Sequence, residues 1–372
     1  MACKQGKKQR LGGRRRLAVN ESSRTIRQGV VGVDLGDRYS QICRIDQESG
    51  EILKEGRVAT TAAGFQSYFT SLSPHLVVLE SGTHSGWISR LLSQLGHEVI
   101  VANASKVRAI AASRRKTDER DARCLAQLGR VDPELLCPVH PRSEEAQHAL
   151  AVVRAREGLV RTRTQLINQV RGVVKVFGVR LPASSTASFA RRAKEALPEE
   201  LRGALEPLVR MIAALSEEIA GFDRAVETLA QKWPATRRLR QIPGVGALTA
   251  LVFVLIVGDP HRFARSRAVG AYLGLVPATR DSGDSNPQLP ITKHGDGLLR
   301  RLLVQASHYI LGRHGQDSDL KQFGLKLCQR GGKNGKKRAI VAVARKLAVL
   351  LHRLWVSGED YVPLYRPTLA AA

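Results

Sequence analysis

Features that would mark a redox, membrane or nucleotide-driven protein are missing from this sequence. Its five cysteines (Cys3, Cys43, Cys124, Cys137 and Cys328) form no CxxC pair. An odd, scattered set fits a reducing cytosol rather than a disulfide framework. No apolar run reaches about 18 residues, so no membrane span is expected. The longest, residues 247–258, is interrupted by Thr249. The basic start MACKQGKKQRLGGRRR is followed by no apolar core of a signal peptide. There is no P-loop to drive chemistry with a nucleoside triphosphate. No Ser/His/Asp triad spacing stands out, and no His/Cys cluster has zinc spacing. Aromatic residues are 5%, too few for a surface built mainly from base-stacking rings. Acids are scarce beside bases: 33 Asp and Glu against 59 Lys and Arg in 372 residues, a net charge of +26. Such a charge on a chain with an ordinary 43% of hydrophobic residues points to a polyanionic partner. Nucleic acid is the first expectation and an anionic membrane surface the weaker one.

Four regions can be read along the chain. Residues 1–27 hold nine Lys or Arg and one acid, Glu21, and read as a disordered basic arm that adds salt-sensitive phosphate affinity. Residues 28–132 alternate strands and helices, the pattern of an α/β layer fold. Strands are expected at Val30–Val33 (ending at Asp34), Tyr39–Ile45, Ile52–Ala59, Leu76–Leu79 (ending at Glu80) and Glu98–Val101. Helices are expected at Gly64–Leu72, Ser85–Leu95 and 105–130. Prolines 133, 138 and 141 mark a boundary. Residues 133–235 then carry two long helical patterns. The first is Ser143–Phe177, with Leu159, Leu166, Val170, Val173 and Phe177 on one face. The second runs Leu201, Leu205, Leu208, Ile212, Leu215, Ile219, Phe222, Val226, Leu229 and Trp233. Its spacing of four and three is a coiled-coil seam, closing either an antiparallel hairpin or a contact with another subunit. Residues 236–372 are mainly helical, with a polar loop at 280–297 and a flexible basic loop at Arg330–Arg338.

Three constellations could carry chemistry. Asp34 and Glu80 each end a buried apolar run, and adjacent parallel strands would bring those ends together. Asp118 and Asp121 share one helix face. Four carboxylates on one edge would repel unless divalent cations neutralised them, and hard oxygen ligands favour Mg2+. Two such ions can clamp both the attacking and the leaving oxygens of a phosphodiester. The second constellation is Ile242-Pro-Gly-Val-Gly-Ala247, a helix-hairpin-helix-like turn. Gly244 and Gly246 would let backbone amides approach a phosphate at a helix N-terminus. The third is Arg280-Asp-Ser-Gly-Asp-Ser285 followed by Ile291-Thr-Lys-His-Gly295. Here the hydroxyl of Ser282, next to a glycine in an open loop, could attack phosphorus while Arg280 and Lys293 hold a phosphate, with His294 a further candidate contact. Lys333, Lys336 and Lys337 are further candidate nucleic-acid contacts.

In their order and spacing, these motifs resemble the DEDD transposases of the insertion sequence 110 family, relatives of the Piv-type DNA invertases. The segments that carry the resemblance are VGVDLG (31–36), VVLESGTHSGW (77–87), KTDERDAR (116–123), IPGVGALTA (242–250), FARSRAVGAYLGLVP (263–277), RDSG (280–283), ITKHGDGLLRRLL (291–303) and GKNGKKRAIVAVARKLA (332–348). The resemblance implies an RNase H-like (RuvC-like) fold for residues 28–132, with Asp34, Glu80, Asp118 and Asp121 as the acidic tetrad. It implies that the coiled coil at 133–235 assembles a homo-oligomer, dimer or tetramer. It implies a C-terminal transposase domain whose serine, Ser282 or failing that Ser285, completes a composite site with the tetrad of another subunit. A structured RNA from the same element would guide the protein to donor and target DNA, in the cytoplasm of a prokaryote and in association with its nucleoid. Two alternatives stay open from the residues: a metal-dependent junction resolvase using water, and a non-catalytic RNA- or DNA-binding protein.

Overall fold

The computed structural model describes residues 28–104, 106, 117–280, 287, 289–332 and 334–364. The chain divides after Pro141 into two compact units. Among the described residues no helix is long and apolar enough to cross a membrane.

In the N-terminal unit, five strands among the described residues form one sheet: β1 (Gly29–Asp34), β2 (Tyr39–Asp46), β3 (Ile52–Ala59), β4 (Leu76–Glu80) and β5 (Glu98–Ala102). Their spatial order is β3-β2-β1-β4-β5. The first three are an antiparallel meander, and β4 and β5 run parallel to β1. The β2–β3 turn is shaped by Asp46, whose Oδ1 accepts the Glu48 and Ser49 N–H groups, and by Gly50 at φ 74°. Helices α1 (Ala62–Phe69) and α2 (Ser85–Gln94) cross over between the parallel strands. The Thr61 hydroxyl caps α1 by accepting from the Gly64 N–H, so this helix starts earlier than its apolar pattern suggests. Helix α3 (Asp118–Val131) covers the other face. Thr117 is extended and caps α3, so the helix expected over 105–130 is not continuous. Asp118 and Asp121 occupy the first turn of a new one.

The centre of the sheet is buried on both sides, which is why β1 and β4 read as unbroken apolar runs, whereas β3 at the edge is exposed from Ile52 to Arg57. Val31, Val33, Val77 and Leu79 pack with Phe65 and Phe69 of α1 and with Ile88 and Leu92 of α2. Val30, Leu76 and Val78 pack with Ala122, Leu125 and Ala126 of α3.

The C-terminal unit is helical. Helix α4 (Glu144–Val176) and α6 (Glu199–Lys232) pack along their length. Arg156 pairs with Asp223 at 2.6 Å and Arg163 donates to Ser216 at 3.3 Å. Seven residues forward on α4 correspond to seven backward on α6, which makes the hairpin antiparallel. The seam of α6 splits by heptad position. Ile212, Ile219 and Val226 are buried, whereas Leu208, Leu215, Phe222 and Leu229 are only partly covered. On α4 the buried stripe is Ile167, Val170 and Val174. Phe177, expected on that face, is 61% exposed because the helix has ended before it. A short helix, α5 (Phe189–Ala196), stands in the connection. Its two buried residues, Phe189 and Ala193, are too few to set a visible period.

Helix α8 (Ala247–Val257) is the centre of the C-terminal core, buried from Thr249 to Val257. Around it lie α7 (Pro234–Leu239), α9 (Arg267–Tyr272), α10 (Gly297–Leu311), α11 (Asp319–Gln329) and α12 (Gly335–Ser357). The same hydrophobic cluster takes in Leu150, Val153 and Val226 from the hairpin base.

Candidate functional site

Asp34 and Glu80 end two strands that pair in parallel with Val33 opposite Leu79. Their carboxylates therefore leave the sheet at one level. Side chains alternate along a strand. Because Val30, Leu76 and Val78 face α3, Asp34 and Glu80 face α3 too. Two glycines fix the helix against the sheet. A methyl on Gly32 would lie 2.0 Å from the Ala122 carbonyl oxygen and 2.5 Å from the Ala126 nitrogen. A methyl on Gly129 would lie 2.5 Å from Val78 Cγ2 and 3.3 Å from Val30 Cγ1. Helix α3 thus runs antiparallel to β1 at backbone contact, with its N-terminus toward the Asp34 end. Asp118 lies one turn beyond Ala122, a rise of about 6 Å. Asp34 lies two residues beyond Gly32, a rise of about 7 Å. All four acids share one edge of the unit.

The helix terminus favours them, since Asp118, Glu119 and Asp121 in the first turn of α3 meet the positive end of its dipole. Four carboxylates supply the hard oxygens that a divalent cation takes. As they stand, no three His, Cys, Asp or Glu among the described residues are close enough to hold a metal. What the fold aligns is the positions from which these side chains start.

Beside this edge lies a group that the sequence pattern did not single out. His84, at the N-terminus of α2, has Nε2 3.8 Å from Asp37 Oδ1. Its Nδ1 accepts from Trp87 Nε1 at 3.2 Å. With Nδ1 used as acceptor, the neutral ring carries its proton on Nε2 toward Asp37. The segment T-H-S-G-W at residues 83–87, shortly after Glu80, was the available signal. Helix α3 is also tied to β3 through Arg123, whose Nη2 donates to both Glu55 oxygens at 2.9 and 3.0 Å.

In the C-terminal unit, Ser282, the alternative Ser285 and Lys333 lie outside the described residues, as do the arm 1–27 and Lys116. The loop that carries the serines is rooted within them. Pro277 bridges Ile291, the Ala278 N–H donates to the Pro290 carbonyl, and the Thr292 N–H donates to the Val276 carbonyl, both at 2.9 Å. Arg280 is exposed on one arm; Lys293 and His294 are exposed on the other. Lys293 adopts φ 57°, a left-handed conformation costly for a side-chain-bearing residue. Two contacts hold it there. Gly274 lets the chain approach so closely that a methyl would sit 2.3 Å from the His294 backbone. Arg300 Nη1 reaches the carbonyls of Leu273, His294 and Gly295 at 3.2, 2.5 and 3.1 Å. Arg300 was not anticipated, because its partners are backbone atoms that leave no mark in sequence.

The two glycines of the 242–247 turn differ. Gly244, at φ 94°, packs against α10, where a methyl would lie 2.9 Å from Tyr309 and 3.2 Å from the Ala306 carbonyl. Packing alone accounts for it. Gly246, the N-cap of α8, is open, and a methyl there would meet nothing within 4 Å. Lys336 and Lys337 are corrected in place: they belong to the first turn of α12 rather than to a flexible loop. The run Ala339-Ile340-Val343-Ala344 buries one face and draws the helix back to Gly335. With Arg338 they leave three exposed cations and no acid at a helix N-terminus.

Comparison with known proteins adds the following. Residues 31–178 match a family profile described as Transposase (DEDD, IS110), and residues 236–323 match one described as Transposase IS116/IS110/IS902 family. The chain is similar to the transposase for insertion sequence element IS1111A of Coxiella burnetii, 32% identical over 89% of this chain and 91% of that protein. It is similar to the transposase for insertion sequence element IS1328 of Yersinia enterocolitica, 30% identical over 76% of this chain and 84% of that protein. A more distant relative, 23% identical over 86% of this chain and 93% of its own, is a pilin gene-inverting protein of Moraxella lacunata.

Proposed function

The chain belongs to the transposases of the IS116/IS110/IS902 family, DNA-acting enzymes of insertion sequences, and from that premise we propose that it cuts and rejoins DNA with a serine nucleophile acting together with an acid-held divalent cation. The observation that carries this reading is the shared edge of Asp34, Glu80, Asp118 and Asp121, set by the β1–β4 pairing and the Gly32 contact. The antiparallel meander followed by two parallel strands supports an RNase H-like fold for residues 28–132. The four carboxylates would hold Mg2+, which supplies charge neutralisation at the phosphoryl oxygens.

The remaining steps fall to the chain itself. Ser282, or Ser285 in its place, loses its hydroxyl proton and attacks a DNA phosphorus. A P–Oγ bond forms, the P–O3′ bond breaks, and the released 3′-oxygen takes up a proton. The phosphoserine keeps the bond energy, so a 3′-hydroxyl from another strand can reverse the step without ATP. Gly246, Arg280, Lys293, His294, Lys333, Lys336 and Lys337 are assigned to phosphate contacts; Gly244 supports the turn beside them. The hairpin within 133–235 is assigned to homo-oligomer assembly and residues 236–372 to the serine-bearing part. A guide RNA from the same element would read donor and target by base pairing. The net charge of +26 suits a protein that holds several nucleic-acid backbones.

The test uses the full chain with its guide RNA and DNA carrying the element ends, resolved on denaturing gels. The wild type should give a covalent protein–DNA adduct. Ser282→Ala should abolish both adduct and strand cleavage. Asp118→Asn should lower cleavage at least about 100-fold with DNA binding retained. Continued cleavage by Ser282→Ala without an adduct would instead indicate water as nucleophile. Full activity of Asp118→Asn and Glu80→Gln would remove the acids from the chemistry.

A further inference from the structure

We propose that the groove between α1 and the β2–β3 hairpin is a second nucleic-acid site, one that grips a phosphodiester backbone on the face of the sheet opposite the acids. The groove is open, encloses about 520 Å³ and is lined by Arg44, Lys54, Arg57, Ser67, Tyr68 and Ser71 among others, with no Asp or Glu. That volume lies within the range that admits a drug-sized molecule, enough for a nucleotide unit.

Strand pairing explains how its cations come together. Val31 faces α1 and α2, and its cross-strand partner Arg44 is on the same side. Lys54 in turn pairs with Arg44. The Lys54 ammonium sits 5.3 Å from the centre of the Tyr68 ring. Glu55, the acid next in sequence, is on the opposite face with Arg123. Arg44 and Lys54 make no ion pair with any described carboxylate.

Two polar atoms in this lining, Arg44 Nε and Tyr68 Oη, are buried without a hydrogen-bond partner. An unmatched buried donor is costly, and native proteins seldom keep one without a use. Burial raises the Tyr68 pKa, so its phenol stays protonated as a donor. Guanidinium, ammonium and the hydroxyls of Ser67 and Tyr68, with no carboxylate, form a donor-rich surface for an anion with several oxygens; the Ser71 hydroxyl is already donated to the Tyr68 carbonyl. Phosphate meets that description.

Direction favours a polymer over a free anion. The groove continues along β3 from Lys54 to Arg57 and Ala59. Arg57 pairs with Gln41, and Gln41 pairs with Asp34. A backbone following β3 therefore reaches the level of the acids along the strands, but on the opposite face of the sheet, since Asp34 and Glu80 face α3. Binding here needs neither the acids nor the serine, so its failure and theirs are separable.

The test measures affinity, not cleavage. Full-length protein in EDTA is titrated, across a salt series, against single-stranded RNA, single-stranded DNA and duplex DNA of one sequence. Arg44→Gln/Lys54→Gln should flatten the slope of log K against log[salt] by about 1.4 to 1.8, the loss of two phosphate contacts. Arg202→Gln/Arg210→Gln, which removes two cations from α6, should leave the slope unchanged. Flattening with RNA alone assigns the groove to RNA, and with DNA alone to DNA. A slope equal to wild type with every ligand, or equal flattening by the control, overturns the proposal. As a check that needs no variant, lysine acetylation of the wild type should be suppressed at Lys54 by bound oligonucleotide; undiminished reactivity overturns the proposal.

Discussion

Asp34 and Glu80 are placed by the last residues of two paired strands, whereas Arg280 and Lys293 are placed by the two arms of a loop. The difference is one of support. Behind the acids stand a continuous ladder from Val30 to Val33 and a helix held at backbone contact by Gly32. Behind the loop stand one bridge, Pro277 with Ile291, a few backbone hydrogen bonds beside it, the close approach at Gly274 and one side chain, Arg300. Carboxylates proposed to share an ion need positions fixed by regular elements. A nucleophile of the kind proposed, which meets and later releases a phosphorus, suits a loop rooted on such elements.

The largest effects should come from the acids. Asp34→Asn or Glu80→Gln is expected to lower strand cleavage by about 10²- to 10³-fold while leaving the thermal midpoint unchanged. Arg280→Gln, on the loop arm, should cost only about tenfold in DNA affinity, the lower end for a charge-assisted hydrogen bond. Comparable losses from both would erase the distinction drawn between edge and loop. Next in size is packing. Gly32→Ala should destabilise the N-terminal unit by about 3 kcal/mol in denaturant unfolding, because its methyl meets backbone atoms that cannot yield. Gly246→Ala, at an open position, should stay within about 0.5 kcal/mol. Arg300→Met should follow at about 1–3 kcal/mol, read as lost cleavage with DNA binding retained.

The smallest effect is a pH dependence confined to the N-terminal unit. His97 is buried, and its pKa is lowered chiefly by that burial. Its Nδ1 accepts the His75 N–H at 3.3 Å and its Nε2 faces the Phe69 carbonyl at 3.1 Å. Only the neutral ring with its proton on Nε2 satisfies both. A folded pKa below the unfolded value of about 6.5 means that this stability is complete above that pH. It declines as pH falls through 6.5 toward the folded pKa. Thermal scans from pH 7.5 to 5.5 should show the decline, and His97→Gln should blunt it.

Much of the edge was legible because the sequence writes it locally. An apolar run ending in Asp or Glu names both the strand and its terminus, and KTDERDA carries a Thr cap with three acids in the following turn. The α6 seam was legible for the same reason, ten residues at a regular spacing. What escaped depends on partners distant in sequence. Gly32 reads as an ordinary strand residue until Ala122 is set against it. The break at Thr117 was hidden because the residues around it are all compatible with helix. Phe177 has the right spacing but lies past the helix end. Lys336 and Lys337 were given to a loop because three glycines precede them, although the apolar face that extends α12 begins only at Ala339. Arg44, Lys54 and Tyr68 come from three elements and share no motif.

The most direct measurement replaces Mg2+ with Fe2+ in the full chain and generates hydroxyl radicals with ascorbate and peroxide, so that the backbone is cut near any bound ion. Cuts around Asp34, around Glu80 and across Asp118–Asp121 are expected together, suppressed by excess Mg2+ and lost in Asp34→Asn. Cuts at one of these segments alone, or a pattern indifferent to Asp34→Asn, would contradict a shared cation site.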